Sequence, residues 1–193
     1  MVSMRSVNKV NEIEEQVKKS RFIGLLYPCF SEVEVQSYLD SLREKHQAAN
    51  HIVFAYKIKT EKGIVCRFYD AGEPSGTAGK PVFNHLEGND LINALVVVVR
   101  YFGGIKLGAG GLTRAYGNAA KQVIETAKLS EYVEYAQIKF ILDYNQFQMF
   151  EYQIAKFSGT MLEKEFAGQI QCVVQMPEAK AAEFLTHFPG QII

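Results

Sequence analysis

The sequence lacks most of the features that mark a membrane, secreted or disulfide-stabilised protein. It has no tryptophan and only three cysteines among 193 residues, with no two cysteines in CxxC spacing. An odd number of widely separated cysteines is typical of a reducing compartment, so we predict a cytoplasmic protein with free thiols. No run of 18 apolar residues is present and the first 19 residues are polar and charged, which predicts neither a membrane span nor a signal peptide.

Signatures of nucleotide and metal binding are missing as well. A P-loop is excluded because Pro74 and Pro81 occupy its first glycine position and its hydroxyl position. The Rossmann pattern is incomplete because Thr113 stands where its last glycine belongs. The histidines lack the short spacing of a zinc pair, and no cysteine lies near another, so neither a metal nor a cofactor is predicted. The histidines are His46, His51, His85 and His187.

The net charge is zero, with 21 basic and 21 acidic residues, but the charges are unevenly distributed. Residues 131–193 hold 4 basic and 8 acidic residues, which leaves 17 basic and 13 acidic residues in the first 130. Residues 91–124 contain four cationic side chains and no acid. A local cationic stretch in a neutral protein indicates an anionic partner.

Hydrophobic periodicity and turn residues predict two domains, residues 1–130 and 131–193. The first is expected to contain a nearly continuous apolar strand at residues 93–101, buried on both faces, and a helix that begins with the capping box at Ser31 and Glu34. The other elements predicted there are a strand at 20–28, a hairpin at 52–60 and 64–69, a short helix capped by Thr77 that ends near 86, and a helix at 112–129. The second domain shows the order βαββα, with a possible last strand at 191–193, which is typical of a ferredoxin-like unit.

Glycine is concentrated where we expect function. Ten of the 15 glycines fall in residues 72–117, and eight of these ten lie in two segments, at 70–81 and 100–114, that we call the first and second glycine segments. Glycine lets a backbone approach a ligand or another chain closely, so these segments are the predicted binding loops. The glycines assigned to them are Gly72, Gly76, Gly79, Gly103, Gly104, Gly108, Gly110 and Gly111.

Cationic side chains in and beside these segments predict an anion-binding surface. Arginine and lysine supply phosphate contacts in nucleic-acid binding, and backbone N–H groups of glycine turns add to them. Nearby aromatic residues offer faces on which bases can stack. The predicted RNA or anion contacts are Arg67, Lys80, Arg100, Lys106 and Arg114, and the aromatic residues are Tyr69, Tyr101, Phe102 and Tyr116.

Two other interpretations of the same residues stay open. In one, Asp70 and Glu73 pair with Arg100 or Arg114 and hold the two segments together as a structural latch. In the other, Asp70, Glu73, His51 or Cys66 serves a hydrolase or a phosphate-binding enzyme. The alternation of Ile64, Cys66 and Phe68 places Cys66 among apolar neighbours, which argues against a catalytic thiol. No catalytic residue is therefore assigned.

Three motifs in the chain are long and specific: residues 19–23 (Lys-Ser-Arg-Phe-Ile), the first glycine segment, and residues 100–117, which open with Arg-Tyr-Phe-Gly-Gly. Together they resemble the IMPACT family in its bacterial YigZ-like branch. The resemblance covers essentially the whole chain. It implies an α+β architecture, with an N-terminal α/β domain similar to the second domain of ribosomal protein S5. It also implies a C-terminal ferredoxin-like domain similar to the last domain of elongation factor G.

The resemblance also implies a role in translation, since eukaryotic members of the family regulate it. Combined with the cationic glycine segments, it predicts a non-enzymatic, cytoplasmic protein that binds RNA or a ribosomal surface. The alternatives are a regulator that docks on a translation-related protein, and an uncharacterised hydrolase or phosphate-ligand-binding enzyme.

Overall fold

A computed structural model describes residues 4–193, which divide into a unit that ends at Tyr132 and a unit that spans Val133–Ile193. The first unit is built on a five-stranded antiparallel sheet with the strand order β2-β3-β6-β4-β5. Its elements are β1 (Arg5–Val7), β2 (Asn11–Val17), β3 (Ser20–Pro28), α1 (Glu32–Lys45), β4 (His51–Thr60), β5 (Gly63–Tyr69), α2 (Gly79–Gly88), β6 (Ala94–Tyr101), α3 (Ala109–Glu125) and β7 (Leu129–Glu131).

Strand β6 lies in the centre of this sheet, and helices cover both of its faces. Val96 and Val98 pack into a cluster with α2 and α3, while Val97 and Val99 pack into a second cluster with α1. The prediction of a strand buried on both faces is confirmed. The strand is buried on both faces because helices pack on either side of the sheet, although the sheet itself is antiparallel.

Helix α1 begins where its capping residues predict. The N–H of Glu34 donates to Ser31 Oγ at 3.2 Å, and Glu34 Oε2 accepts from the N–H of Phe30 at 2.8 Å. The carboxylate of Glu34 thus accepts from the residue before the N-cap, rather than from the N-cap itself.

Five elements differ from the prediction. Strand β7 (Leu129–Glu131) was not predicted, and α3 ends at Glu125 rather than at residue 129. Strands β1 and β2 precede residue 20, where none was predicted, since only Ile13 and Val17 of β2 pack against the core. Thr77 does not cap α2: its hydroxyl donates to the carbonyl of Pro74, and Asp70 takes the capping role. Helix α3 begins at Ala109 rather than at residue 112, so the end of the second glycine segment is helical.

The second unit is an antiparallel sheet with two helices. Its elements are β8 (Tyr135–Leu142), α4 (Phe147–Lys156), β9 (Thr160–Phe166), β10 (Ile170–Pro177), α5 (Glu178–His187) and β11 (Gln191–Ile192). The strand order β11-β8-β10-β9 is that of a ferredoxin-like domain. Phe140, Phe150 and Phe184 form an edge-to-face aromatic core between sheet and helices. The fold predicted for both domains is confirmed. No helix within residues 4–193 is long and apolar enough to cross a membrane.

Candidate functional site: a pocket between the two glycine segments

The two glycine segments meet at one end of the five-stranded sheet and border an open pocket of about 400 Å³. The pocket lies within the first unit and combines apolar walls with a few polar groups, an arrangement typical of small-ligand sites. Its lining residues are Asn50, His51, Glu73, Pro74, Arg100, Phe102, Lys106, Leu107, Gly108, Ala109 and Leu112.

A buried ion pair joins the segments at the base of this pocket. Arg100 Nη1 donates to Glu73 Oε1 at 2.5 Å, and the side chains are only 6% and 4% exposed. The hydroxyl of Tyr116 donates to the same oxygen at 2.7 Å. Burial, reinforced by this hydrogen bond, raises the pKa of the Tyr116 hydroxyl, which therefore stays a donor at physiological pH. Such a pair holds the two segments together.

His51 stands beside this pair in a fixed orientation. Its Nδ1 lies 2.8 Å from the carbonyl oxygen of Ala71, so Nδ1 carries the proton and donates. Its Nε2 lies 3.7 Å from Glu73 Oε1, beyond hydrogen-bonding distance. His51 lines the pocket, and its Nε2 is left without a hydrogen bond to Glu73.

Asp70 organises the first glycine segment from within. Its carboxylate accepts backbone N–H bonds from Gly76 at 2.9 Å, Ala78 at 3.0 Å and Gly79 at 2.8 Å. Burial alone would raise the pKa of this carboxyl, but the three N–H donors outweigh it and hold the pKa below the ordinary value. Asp70 thus caps α2 and is not one of the acids paired with an arginine.

The second glycine segment is held against the turn between β2 and β3. A Cβ built on Gly103 would lie 2.0 Å from backbone atoms of Lys19, so only glycine fits there. Ser20 Oγ accepts the N–H of Gly103 at 3.2 Å, and Asn50 Oδ1 accepts the N–H of Phe102 at 2.8 Å. These contacts fix the backbone that leads into α3.

The predicted contact residues do not all lie at this site. Arg100 is enclosed and neutralised by Glu73, so it is not an exposed phosphate contact. Arg67 pairs with Glu32 at 3.2 Å in a groove against α1, which is lined by other residues than the pocket. Lys80 is exposed in the first turn of α2. Lys106 and Arg114 are exposed at the second glycine segment.

The loop glycines are distributed between turns and helices. Gly72, Gly76, Gly104 and Gly108 have positive φ angles, Gly103 makes a close approach, and Gly79, Gly110 and Gly111 lie in the first turns of α2 and α3.

Several residues of this site were not predicted from the sequence as part of it. Asn50 carried no signal, and Ser20 entered only as part of the motif at 19–23, because both act through hydrogen bonds to backbone groups that only the fold brings near. His51 was considered only as a candidate for a hydrolase. Tyr116 was interpreted as a stacking residue, although its ring is fully buried and its hydroxyl serves Glu73. Cys66 lies on the exposed face of β5 and is not among the residues that line the pocket.

The helix-covered antiparallel sheet with its glycine-bordered pocket, followed by a ferredoxin-like domain, defines an S5 domain 2-like α+β protein. Residues 18–124 match the Impact N-terminal domain, and residues 140–187 match a domain of unknown function, DUF1949. The chain belongs to the IMPACT family.

Several known proteins are similar to most of this chain. The chain is 34% identical over 172 residues to an IMPACT family member of Haemophilus influenzae, covering 89% of this chain and 84% of the relative. It is 32% identical over 173 residues to the IMPACT family member YigZ of Escherichia coli, with 89% and 85% covered. A crystal structure described as that of a hypothetical protein superposes with a TM-score of 0.70 at 29% identity, covering 100% of this chain and 97% of that one.

Proposed function

We propose that this protein is a non-enzymatic, translation-associated protein that binds RNA through a surface around the N-terminus of α3. We call this the α3 basic surface and define it by Lys106, Arg114 and the first turn of α3, Ala109–Leu112. The observation that carries the proposal is the charge arrangement at this helix end, which is the reverse of the usual one. The translation context comes from the resemblance to the IMPACT family.

Helix α1 shows what an ordinary helix start looks like in this chain. Ser31 caps it, Glu32 and Glu34 lie in its first turn, and Arg43 and Lys45 lie in its last turn. Each charge complements the helix macrodipole.

Helix α3 has none of these features at its start. It has no side-chain cap and no acidic residue in its first turn. Its first N–H groups follow Gly108, whose φ of 71° is readily adopted by glycine. The arrangement leaves unsatisfied N–H donors at the positive end of a 17-residue helix. Such an end is suited to bind a phosphate.

The charges nearest to this helix start are cationic. Lys106 lines the same pocket as Gly108 and Ala109, and a Cβ on Gly110 would lie 3.7 Å from Arg114 Nη1. Positive side chains beside the positive end of a helix repel it unless an anion lies between them. Because the charge of Glu73 is balanced by Arg100, this acid of the pocket attracts these cations only weakly.

Two further cations extend the surface. Lys18 and Lys19 form the exposed turn before β3, and the backbone of Lys19 packs directly on Gly103. Several exposed cations near one helix end favour a phosphodiester backbone over a single small anion.

The test is salt-dependent RNA binding by the full chain, with the double variant Lys106→Ala and Arg114→Ala. We expect affinity for a structured RNA to fall and the slope of log K against log salt to decrease by about 0.7–0.9 for each phosphate that the variant no longer neutralises. The matched control is Arg43→Ala with Lys62→Ala, which removes the same two charge types from exposed positions elsewhere in the first unit.

Equal loss of RNA affinity in the two double variants would show only a net-charge effect and would overturn this location. Capture of a translation-related protein that survives nuclease and high salt, without RNA binding, would favour the docking alternative instead.

A further inference from the structure

The polar wall of the pocket carries an acceptor that the protein itself does not use. Glu73 has a side chain that is only 4% exposed, and its hydrogen bonds from Arg100 and Tyr116 both end on Oε1. Among residues 4–193 no group donates a hydrogen bond to Oε2, and this oxygen is not one of the fully enclosed unpartnered atoms. A carboxylate oxygen in this state is available to a donor that enters the pocket.

A second acceptor stands next to it. Because His51 Nδ1 donates to the carbonyl of Ala71, Nε2 of the neutral ring is an acceptor. It lies 3.7 Å from Oε1 of the Glu73 carboxylate. The pocket, which both residues line, therefore holds a second acceptor beside that carboxylate. Arg100 already balances the charge of Glu73, which favours a neutral ligand edge with two neighbouring N–H donors over a cation.

The remaining walls fit an aromatic ring with an anionic end. Phe102 is 45% exposed, and Pro74, Leu107 and Leu112 supply apolar surface. Lys106 also lines the pocket, as do Gly108 and Ala109 at the uncapped start of α3. The volume of about 400 Å³ falls in the range of about 300–1,000 Å³ found for small-ligand pockets.

We propose that this pocket binds a guanine nucleotide, taken either free or as an unpaired guanosine of an RNA. Guanine carries an N2 amino group and an N1–H side by side on its Watson–Crick edge; the amino group donates to Glu73 Oε2 and the N1–H donates to His51 Nε2. Adenine, cytosine and uracil each offer only one donor position on that edge. The ring stacks on Phe102, and the phosphate lies at Lys106 and the start of α3. The placement of the phosphate rests on the proposed function, whereas the placement of the guanine base does not.

The decisive measurement is a calorimetric titration of the full chain with guanosine, inosine and adenosine 5′-monophosphates. Inosine lacks only the N2 amino group, so it removes one hydrogen bond to the carboxylate without changing charge or stacking. We expect guanosine monophosphate to bind about tenfold tighter than either of the others. Equal binding of guanosine and inosine, both as free nucleotides and within the pair of RNAs described below, would overturn the assignment.

Variants test the same geometry. Phe102→Ala is expected to weaken guanosine monophosphate binding about tenfold, whereas Phe30→Ala, which removes another exposed phenylalanine, leaves it unchanged. Glu73→Gln is expected to abolish the preference for guanosine over inosine. Because this variant also alters a buried ion pair, Phe102→Ala and the inosine comparison stand independently of it.

A second titration separates the two sources of the ligand. An RNA with one unpaired guanosine is compared with the same RNA carrying inosine there. A preference for guanosine over inosine in the RNA, without such a preference among the free nucleotides, supports the pocket with RNA as its ligand. RNA binding that depends on Lys106 and Arg114, with no preference for guanosine over inosine in either titration, overturns the guanine pocket. The proposed function then still holds. Binding of guanosine monophosphate without any RNA binding supports the pocket and overturns the proposed function.

Discussion

The two glycine segments have similar compositions but opposite roles. In the first segment, Asp70 and Glu73 bond to partners inside the protein, namely backbone N–H groups and Arg100. In the second, Lys106 and Arg114 remain exposed at an uncapped helix start. The comparison teaches that a charge in a glycine-rich loop indicates binding only if the fold leaves it without an internal partner.

Arg100 and Arg114 illustrate this point within one segment. Arg100 is the second-last residue of β6, and its guanidinium is buried, with Cζ 5.5 Å from the ring centroids of Phe22 and Phe102. Arg114 lies one helical turn into α3 on the exposed side. Their separation along the chain is small, but one holds the structure together and the other is free to bind.

The largest effect is expected from Glu73→Ala. It leaves Arg100 buried without its counter-charge, which costs about 3–5 kcal/mol of the free energy of unfolding. Urea denaturation of the variant and of Glu163→Ala, an exposed acid of β9, measures the difference. A loss below about 1 kcal/mol would show that the first segment does not depend on this pair.

The next largest effect on stability is expected from Gly103→Ala. Its Cβ would overlap the backbone of Lys19, and relief requires the β2–β3 turn to move, which we expect to cost about 1–3 kcal/mol or more. Gly88→Ala is the control, because nothing lies within 4 Å of its Cβ at the end of α2. Thermal unfolding of both variants compares them; equal midpoints would show that the second segment is not held against that turn.

Asp70→Asn is expected to cost about 0.5–2 kcal/mol at neutral pH, as for the loss of a helix cap. Because the pKa of Asp70 is lowered in the folded state, its contribution is fully present above the ordinary value of 3.8 and is lost as pH falls through the folded pKa. The stability difference between the wild-type chain and the variant should therefore be constant above about pH 5 and shrink below about pH 4. Denaturant titrations from neutral to acid pH follow it; a difference that grows toward acid pH contradicts the cap.

The smallest effect on stability is expected from the double variant Lys106→Ala and Arg114→Ala. Both side chains are exposed, so the free energy of unfolding should change by less than about 0.5 kcal/mol while RNA affinity falls. A stability loss as large as that of Glu73→Ala would make the second segment a latch like the first.

Much of the fold could be predicted because its signals are local. The valines of β6, the cap of α1 and the hairpin of β4 and β5 each follow from short patterns. β2 could not be predicted in this way, because an edge strand with only two apolar positions has little periodicity of its own. The start of α3 was missed because Gly110 and Gly111 have low helix propensity, which packing of Leu112 and Tyr116 outweighs.

The candidate site followed partly from the sequence and partly from the tertiary structure. The sequence by itself determined which residue types are present: two glycine segments, their acids, their cations, and the absence of metal and P-loop patterns. Only the tertiary structure decided which cations are neutralised, since Glu73 meets Arg100 across 27 residues of chain and His51 reaches Ala71 across 20. The physical reason is that burial and pairing are properties of three-dimensional neighbours, and a linear pattern contains the charges without containing their partners.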